Sequence, residues 1–179
     1  MSHTPTLETE RLILRPLVLS DFEAYVSFWQ NPEVVRYISG APIPRDASWT
    51  RLLRTAGHWQ FLGFGFFAIE HKATRLLIGE VGFQEMRRVI EPSIEGTLET
   101  GWGILPEYQG QGMATEVVRA ALEWAGLAHP RMEYSCIVSP ENQPSLKLAA
   151  KFGFEKDTTT TFLGKPVVIL RRGRSRRGL

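Results

Sequence analysis

The hydrophobic positions of this chain switch repeatedly between a period of two and a period of 3.6. Residues 11–17 read as a strand that stops at Pro16-Leu17. Ser20 or Asp21 can cap a following helix to about Gln30, where Asn31-Pro32 ends it, because the residue before a proline is pushed out of the α region. A second helix is predicted over 45–59, with Trp49, Leu52, Leu53 and Ala56 at helical spacing. Residues 64–70 and 76–86 predict an antiparallel pair turning at Lys72-Ala73-Thr74-Arg75, and 89–96 a loop. A strand over 97–105, a helix over 111–128, a strand over 132–138 and a helix over 142–152 follow. Two strands, 154–162 and 165–170, close the chain around Leu163-Gly164. The order implies an α/β (α+β) fold, with a mixed, mostly antiparallel sheet of about seven strands and about four helices.

Composition narrows the class. A chain of 179 residues, 43% of them apolar, can bury one sizeable core. No apolar run reaches the ~18 residues of a membrane span, and Met1-Ser2-His3-Thr4-Pro5 lacks the features of a signal peptide. Cys136 is the single cysteine, so no intrachain disulfide can form. A cytoplasmic protein with no membrane partner is expected. The net charge of +2 hides an asymmetry: Arg171, Arg172, Arg174, Arg176 and Arg177 supply five positive charges, and without them the chain would carry −3. Residues 1–172 are read as one domain and 173–179 as a basic tail. No aromatic residue interleaves the arginines, which gives base stacking no support. A solvated chain end is expected rather than a nucleic-acid surface. A homodimer is compatible with the chain.

The most informative stretch lies between the 97–105 strand and the 111–128 helix. There Leu105-Pro106-Glu107-Tyr108-Gln109-Gly110-Gln111-Gly112-Met113-Ala114-Thr115 forms a glycine-rich turn. Gly110 and Gly112 let the backbone approach a ligand closely, and the N–H groups of the helix's first turn favour an anion. Three phosphate patterns compete. A P-loop needs Gly-Lys-Ser/Thr, and no lysine follows Gly112. A dinucleotide fingerprint is nearly matched by Gly110-x-Gly112-x-x-Thr115, with Glu133 about 20 residues on. However, Thr115 replaces its third glycine, Pro106-Glu107-Tyr108-Gln109 separates strand from glycines, and the turn lies past mid-chain. The third pattern is Gln109-x-x-Gly112-x-Ala114.

That third pattern resembles the acetyl-CoA pyrophosphate loop of the GNAT superfamily of N-acetyltransferases. Leu7-Glu8-Thr9-Glu10-Arg11-Leu12-Ile13-Leu14-Arg15-Pro16-Leu17 with Ser20-Asp21 resembles the opening of its RimL-like branch, which includes ribosomal-protein N-terminal acetyltransferases. Asn31-Pro32-Glu33-Val34-Val35-Arg36-Tyr37, Ile78-Gly79-Glu80-Val81-Gly82-Phe83 and Glu99-Thr100-Gly101-Trp102 resemble later segments. So do Asn142-Gln143-Pro144-Ser145 and Lys151-Phe152-Gly153-Phe154, and order and spacing agree from about Leu7 to Phe162. The resemblance implies a GNAT-like sheet with a splay between its fourth and fifth strands, into which pantetheine inserts. It implies an acetyl-CoA-dependent N-acetyltransferase acting on a protein N-terminal α-amine or a small-molecule amine, by direct attack in a ternary complex. A non-catalytic acyl-CoA-binding module or sensor and a dinucleotide-binding oxidoreductase are the rival readings.

Acyl transfer needs a held cofactor, a deprotonated amine, a polarised carbonyl and an outlet for the thiolate. The resemblance assigns Gln109, Gly110, Gln111, Gly112, Met113, Ala114 and Thr115 to the pyrophosphate. It assigns backbone groups of Ile104 and Leu105 to pantetheine and the thioester oxygen. Glu99 matches a base position of several relatives, with Glu80 and Glu85 as weaker candidates. A carboxylate near pKa 4.3 is weak against an α-amine near 7.7–8.0, so burial or a water relay would be needed. Asn142 and Ser145 suit an N-cap; the family role puts Asn142 on pantetheine and Ser145 near the leaving sulfur. Many relatives carry a tyrosine general acid four residues past the Ser145 position, where this chain has Ala149. Cys136 reads as a small buried hydrophobe rather than a nucleophile. His58 and Trp59 either face the amine cleft or pack on nearby phenylalanines, and His3, His71 and His129 lack metal-ligand spacing, so no metal is expected.

Overall fold

The computed structural model describes residues 4–173. Eight strands form one sheet: β1 (Leu7–Glu8), β2 (Leu12–Arg15), β3 (Phe66–His71), β4 (Leu77–Gln84), β5 (Leu98–Ile104), β6 (Tyr134–Val138), β7 (Glu155–Phe162) and β8 (Lys165–Arg172). Five α-helices accompany them: α1 (Phe22–Gln30), α2 (Pro32–Val35), α3 (Arg45–Leu62), α4 (Met113–Ala128) and α5 (Gln143–Lys151). The spatial order is β1-β2-β3-β4-β5-β6-β8-β7, and each neighbouring pair is antiparallel except β5 and β6. The architecture is the mixed, mostly antiparallel α/β fold expected, with two additions. One is the two-residue edge strand β1. The other is α2, which starts where α1 stops: Asn31 caps it by accepting the N–H groups of Glu33 and Val34, with Pro32 in the first turn.

Three local expectations change. Asp21 does not cap α1; its carboxylate turns back to the Val18 N–H and to the guanidinium of Arg15, which also pairs with Glu70. The buried face of α3 is Ser48, Leu52, Thr55 and Trp59, whereas Trp49, Leu53 and Ala56 are exposed. Trp59 fixes that rotation by donating its indole N–H to the Phe66 carbonyl and packing against Phe67 and Trp124. The helix after the glycine turn begins at Met113 rather than Gln111, because Gly112 sits in the left-handed region and cannot be helical. The basic tail falls outside the described residues from 174 onward.

The main core lies between the sheet and α4, where Val117, Val118, Ala121, Leu122 and Ala125 meet Phe67, Ile78, Val81, Phe83 and Leu98. A second cluster of Tyr25, Phe28, Trp29, Val34, Val35 and Leu52 joins α1, α2 and α3. The loop after β4 brings Ile90 and Ile94 onto Ile169 of β8. The helices thus pack on both sides of a sheet whose centre is β4-β5-β6, and that centre carries the site.

Candidate active site

The glycine turn is held both from outside, by Arg11, and by its own glutamines, with Gln111 Nε2 donating to the Glu107 carbonyl at 2.8 Å. Gly110 and Gly112 have φ of +72° and +81°, a region that L side chains rarely occupy. A Cβ on Gly110 would meet nothing within 4 Å, so the surface beside it is open to a ligand. Arg11 donates to the Gln111 carbonyl at 2.9 Å and pairs with Glu116 on the first turn of α4. Glu116 also accepts from Thr9 Oγ1 at 2.6 Å and the Arg11 N–H at 2.8 Å. Burial acts to raise the Glu116 carboxyl, but the hydrogen bonds from Thr9 and Arg11 outweigh it and hold the group below the usual carboxylate range. Gln109 Nε2 donates to the Ile104 carbonyl at 2.8 Å, closing the turn back onto β5. The first N–H groups of α4 have no preceding turn to accept them, so they point into this concavity.

Beside the turn the sheet comes apart. β5 and β6 pair only at Leu98–Tyr134 and Glu99–Ser135. Beyond that point the two strands diverge toward their C-terminal ends, where β5 leads to the glycine turn and β6 to the start of α5. The Leu98 N–H donates toward β6, to the Glu133 carbonyl, and the Leu105 N–H donates toward β4, to the Ile78 carbonyl. Strand alternation then turns the backbone groups of Trp102 and the N–H of Ile104 into the gap. The same alternation puts Ile137 on the facing edge of β6.

The gap continues into a cleft of about 920 Å³ bounded by α1–α2, α3, β4, β5, β6, the start of α5 and the β7–β8 turn. Glu99 is buried on its wall; its Oε1 accepts from Gln84 Nε2 and Arg88, and its Oε2 from Arg88 at 2.8 Å. Glu80 on β4 accepts from the Tyr25 hydroxyl at 2.8 Å and from Arg51 at 3.1 Å. The Arg51 guanidinium lies 3.7 Å over the Trp29 ring, a cation–π contact. Burial, with the Glu80 carboxylate beside it, raises the Tyr25 hydroxyl well above the ordinary tyrosine range, so it remains a donor. Asn142 Oδ1 accepts the Ser145 N–H at 3.2 Å. Asn142 is therefore an N-cap whose amide NH2 remains available, and both residues line the cleft.

Comparison with known proteins agrees with this arrangement. The pattern described as an acetyltransferase (GNAT) domain matches residues 11–155. The chain belongs to the GNAT acetyltransferase family. It is 30% identical over 154 residues to the uncharacterized N-acetyltransferase YoaA of Bacillus subtilis (strain 168), covering 86% of this chain and 84% of YoaA. A putative GNAT-family acetyltransferase from Bordetella pertussis superposes with a TM-score of 0.86 at 28% identity, over 94% of this chain and 99% of that one. The RimL ribosomal L7/L12 α-N-protein acetyltransferase in complex with coenzyme A shares the fold, with a TM-score of 0.76 at 16% identity, over 95% of this chain and 98% of that one. The protein is an acyltransferase.

Within this GNAT domain the sequence-named residues divide into two groups. Gln109, Gly110, Gln111, Gly112, Met113, Ala114 and Thr115 form the turn and first helical turn. Glu99, Asn142 and Ser145 meet in the cleft. Ile104 and Leu105 stand between the two groups, although the Leu105 N–H is already given to Ile78 and the Ile104 carbonyl to Gln109. Ala149, at the family's tyrosine position, is fully buried. Cys136 lies one residue past the last β5–β6 pair, and burial, then the nearby Glu99 charge, push its thiol up to about 12; at neutral pH it is no thiolate. His58 contacts the carbonyls of Arg54 and Glu85 through its two ring nitrogens. Glu85 accepts the Gly96 N–H. Among the described residues no group of His, Cys, Asp and Glu could hold a metal ion, and no helix is long and apolar enough to cross a membrane.

Sequence reading missed Arg11, Arg51, Arg54, Arg88 and Tyr25. Arg51 and Arg54 did carry a signal: three apart on a helix, they share one face. Arg88 follows β4 in a loop without a motif.

Proposed function

We propose that this chain is an acetyl-CoA-dependent N-acetyltransferase that acetylates a primary amine by direct attack in a ternary complex. The observation that carries the reading is the parting of β5 from β6 after two residue pairs, opening toward a glycine turn at a helix N-terminus. Pantetheine is an extended chain with two amides. It suits the gap as an added strand, with the backbone of Trp102 and Ile104 on one side and Ile137 on the other. The pyrophosphate then falls on Gln109 through Thr115. The Ile104 N–H is the donor placed to polarise the thioester carbonyl.

The amine attacks that carbonyl from the cleft. A C–N bond forms, the C–S bond breaks, and the amine loses one proton. Glu99 receives it, directly or through a water, at the Oε2 lone pair that Arg88 leaves unused. The Glu99 carboxylate also attracts the incoming ammonium. The CoA thiolate leaves toward Ser145 and the Asn142 amide; a model thiol near pKa 8.5 needs no full protonation to depart. The neutral, buried Cys136 thiol argues against an acyl-enzyme. The RimL neighbour acts on ribosomal L7/L12, and for this chain the acceptor is a protein N-terminal α-amine or a small-molecule amine.

The deciding experiment is an acceptor screen with acetyl-CoA. Peptides of varied N-terminus and small amines are scored by release of free CoA and by the acetylated product's mass. Amine-dependent turnover is expected. A chain that binds acetyl-CoA yet turns over with no amine would be a sensor instead.

A further inference from the structure

The charges of the acceptor cleft do not balance. Of its charged lining residues, Arg36, Lys165 and Glu141 are exposed, and the inner ones are three guanidiniums, Arg51, Arg54 and Arg88, against two carboxylates, Glu80 and Glu99. Arg51 is bound to Glu80 and Arg88 to Glu99. Arg54 is left over. It is half-buried, and among the described residues its guanidinium makes no hydrogen bond or ion pair. Its backbone carbonyl, not its side chain, is what holds His58. The excess runs against the protein as a whole, which is acidic apart from its C-terminal arginines. Arg51 and Arg54 stand on one face of α3 and line the cleft together with the Glu99–Arg88 pair.

We propose that Arg54 is a specificity-determining residue that binds a carboxylate on the acceptor, so that the substrates are primary amines carrying a carboxylate close to the reacting nitrogen. The inference rests on the amine-acetyltransferase reading of the same cleft. A guanidinium in partial burial loses hydration, and burial and the neighbouring Arg51 cation both push its pKa down. An anion on the substrate relieves both costs at once. The planar fork of Arg54 can take a carboxylate with two N–H donors, a geometry that lysine lacks. Glu99 draws the ammonium end of the same molecule toward the thioester. The two ends of an amino-acid-like acceptor are thus sorted by opposite charges. A diamine would meet Arg54 with its second cation and be disfavoured. Two sources share this chemistry: a free α- or ω-amino acid, and a peptide N-terminus followed by an acidic residue.

The test compares acceptors that differ only in carboxylate against carboxamide. Glutamate is paired with glutamine α-amide, and a peptide beginning Ser-Asp with one beginning Ser-Asn. Wild-type kcat/KM should favour the carboxylate member by about tenfold or more, the scale of a hydrogen bond to a charged group. The pair with the larger preference identifies the source. Arg54→Gln should erase the preference through KM rather than kcat, the mark of a binding contact, and Arg54→Lys should restore part of it. Because Arg54 holds no partner, the Gln variant should melt at the wild-type temperature. No preference in either pair, a preference for carboxamides or diamines, or a preference that survives Arg54→Gln would overturn the proposal while leaving N-acetylation intact. A loss of acetyl-CoA affinity in Arg54→Gln would overturn it by placing Arg54 on the donor. If no amine is turned over, the function proposed above fails first. Succinate then serves as the probe: a rise in wild-type melting temperature that Arg54→Gln abolishes supports the carboxylate site, and no rise overturns it.

Discussion

Glu99 shows how much a single residue's surroundings matter to its assignment. In the sequence it lies on the strand before the phosphate turn, and its resemblance to the base position of several relatives makes it a candidate base. In the structure its carboxylate is gripped by Arg88 and Gln84. Neither partner is near in sequence pattern, and no local rule could have named them. If Glu99 takes the amine proton, Glu99→Gln should lower kcat by about 10²–10⁴ with little change in acetyl-CoA affinity. The loss should shrink as pH rises above the acceptor's pKa, because the amine then arrives neutral. A Gln variant with the wild-type rate at neutral pH would make Glu99 a partner that merely positions Arg88. The arginines of α3 were hidden for the opposite reason. An exposed-looking Arg in a helix usually means a solvated face, and only the cleft turns Arg51 and Arg54 inward.

At the scale of elements, the turn between β5 and α4 was the most legible part of the chain, because its conformation is written in residue type. Positive φ at Gly110 and Gly112 demands glycine. Gly112→Val should therefore collapse acetyl-CoA binding while the fold persists, read by calorimetric titration beside a circular-dichroism melt; full affinity in the folded variant would place the pyrophosphate elsewhere. What held the turn in place was not legible, since Thr9 and Arg11 lie more than a hundred residues before Glu116. That contact has a pH signature. The folded-state pKa of Glu116 lies below its unfolded value, so its contribution is present above the unfolded value and is lost as pH falls through the folded one. Glu116→Gln should cost about 1–3 kcal/mol at neutral pH. The difference from wild type should fade below about pH 4.5, the ordinary carboxylate range. Urea midpoints at pH 7 and pH 3.5 test this, and a constant gap between them would assign the loss to packing. The face of α3 was misread because Trp49, Leu53 and Ala56 have the right spacing but the wrong rotation. Small polar residues, Ser48 and Thr55, pack inward beside Trp59 instead.

For the whole molecule, chain order was readable and spatial order was not. The alternation of strands and helices follows from local periodicity. The placement of β8 between β6 and β7 depends on pairings that only the folded sheet satisfies. That placement leaves the sheet in two parts, β1 to β5 and β6 to β8, sharing two residue pairs and the core under α4. A ligand that enters the gap as a strand would tie the parts together. Acetyl-CoA should then raise thermal stability by RT ln(1 + [L]/Kd), about 2.7 kcal/mol at a hundredfold excess over Kd, and NAD(P)H should not. The distribution of that gain is the sharper test. Amides that face the gap, at Trp102, Ile104 and Ile137, lack a strand partner in the free protein and should exchange with solvent quickly. Acetyl-CoA should slow them markedly. Amides of β3 and β4, already paired on both sides, should change little beyond the global gain. Hydrogen–deuterium exchange with and without acetyl-CoA reads both sets at once. Stabilisation without added protection at Trp102, Ile104 and Ile137 would mean that the ligand binds outside the gap, and the pairing of pantetheine with the parted strands would be abandoned.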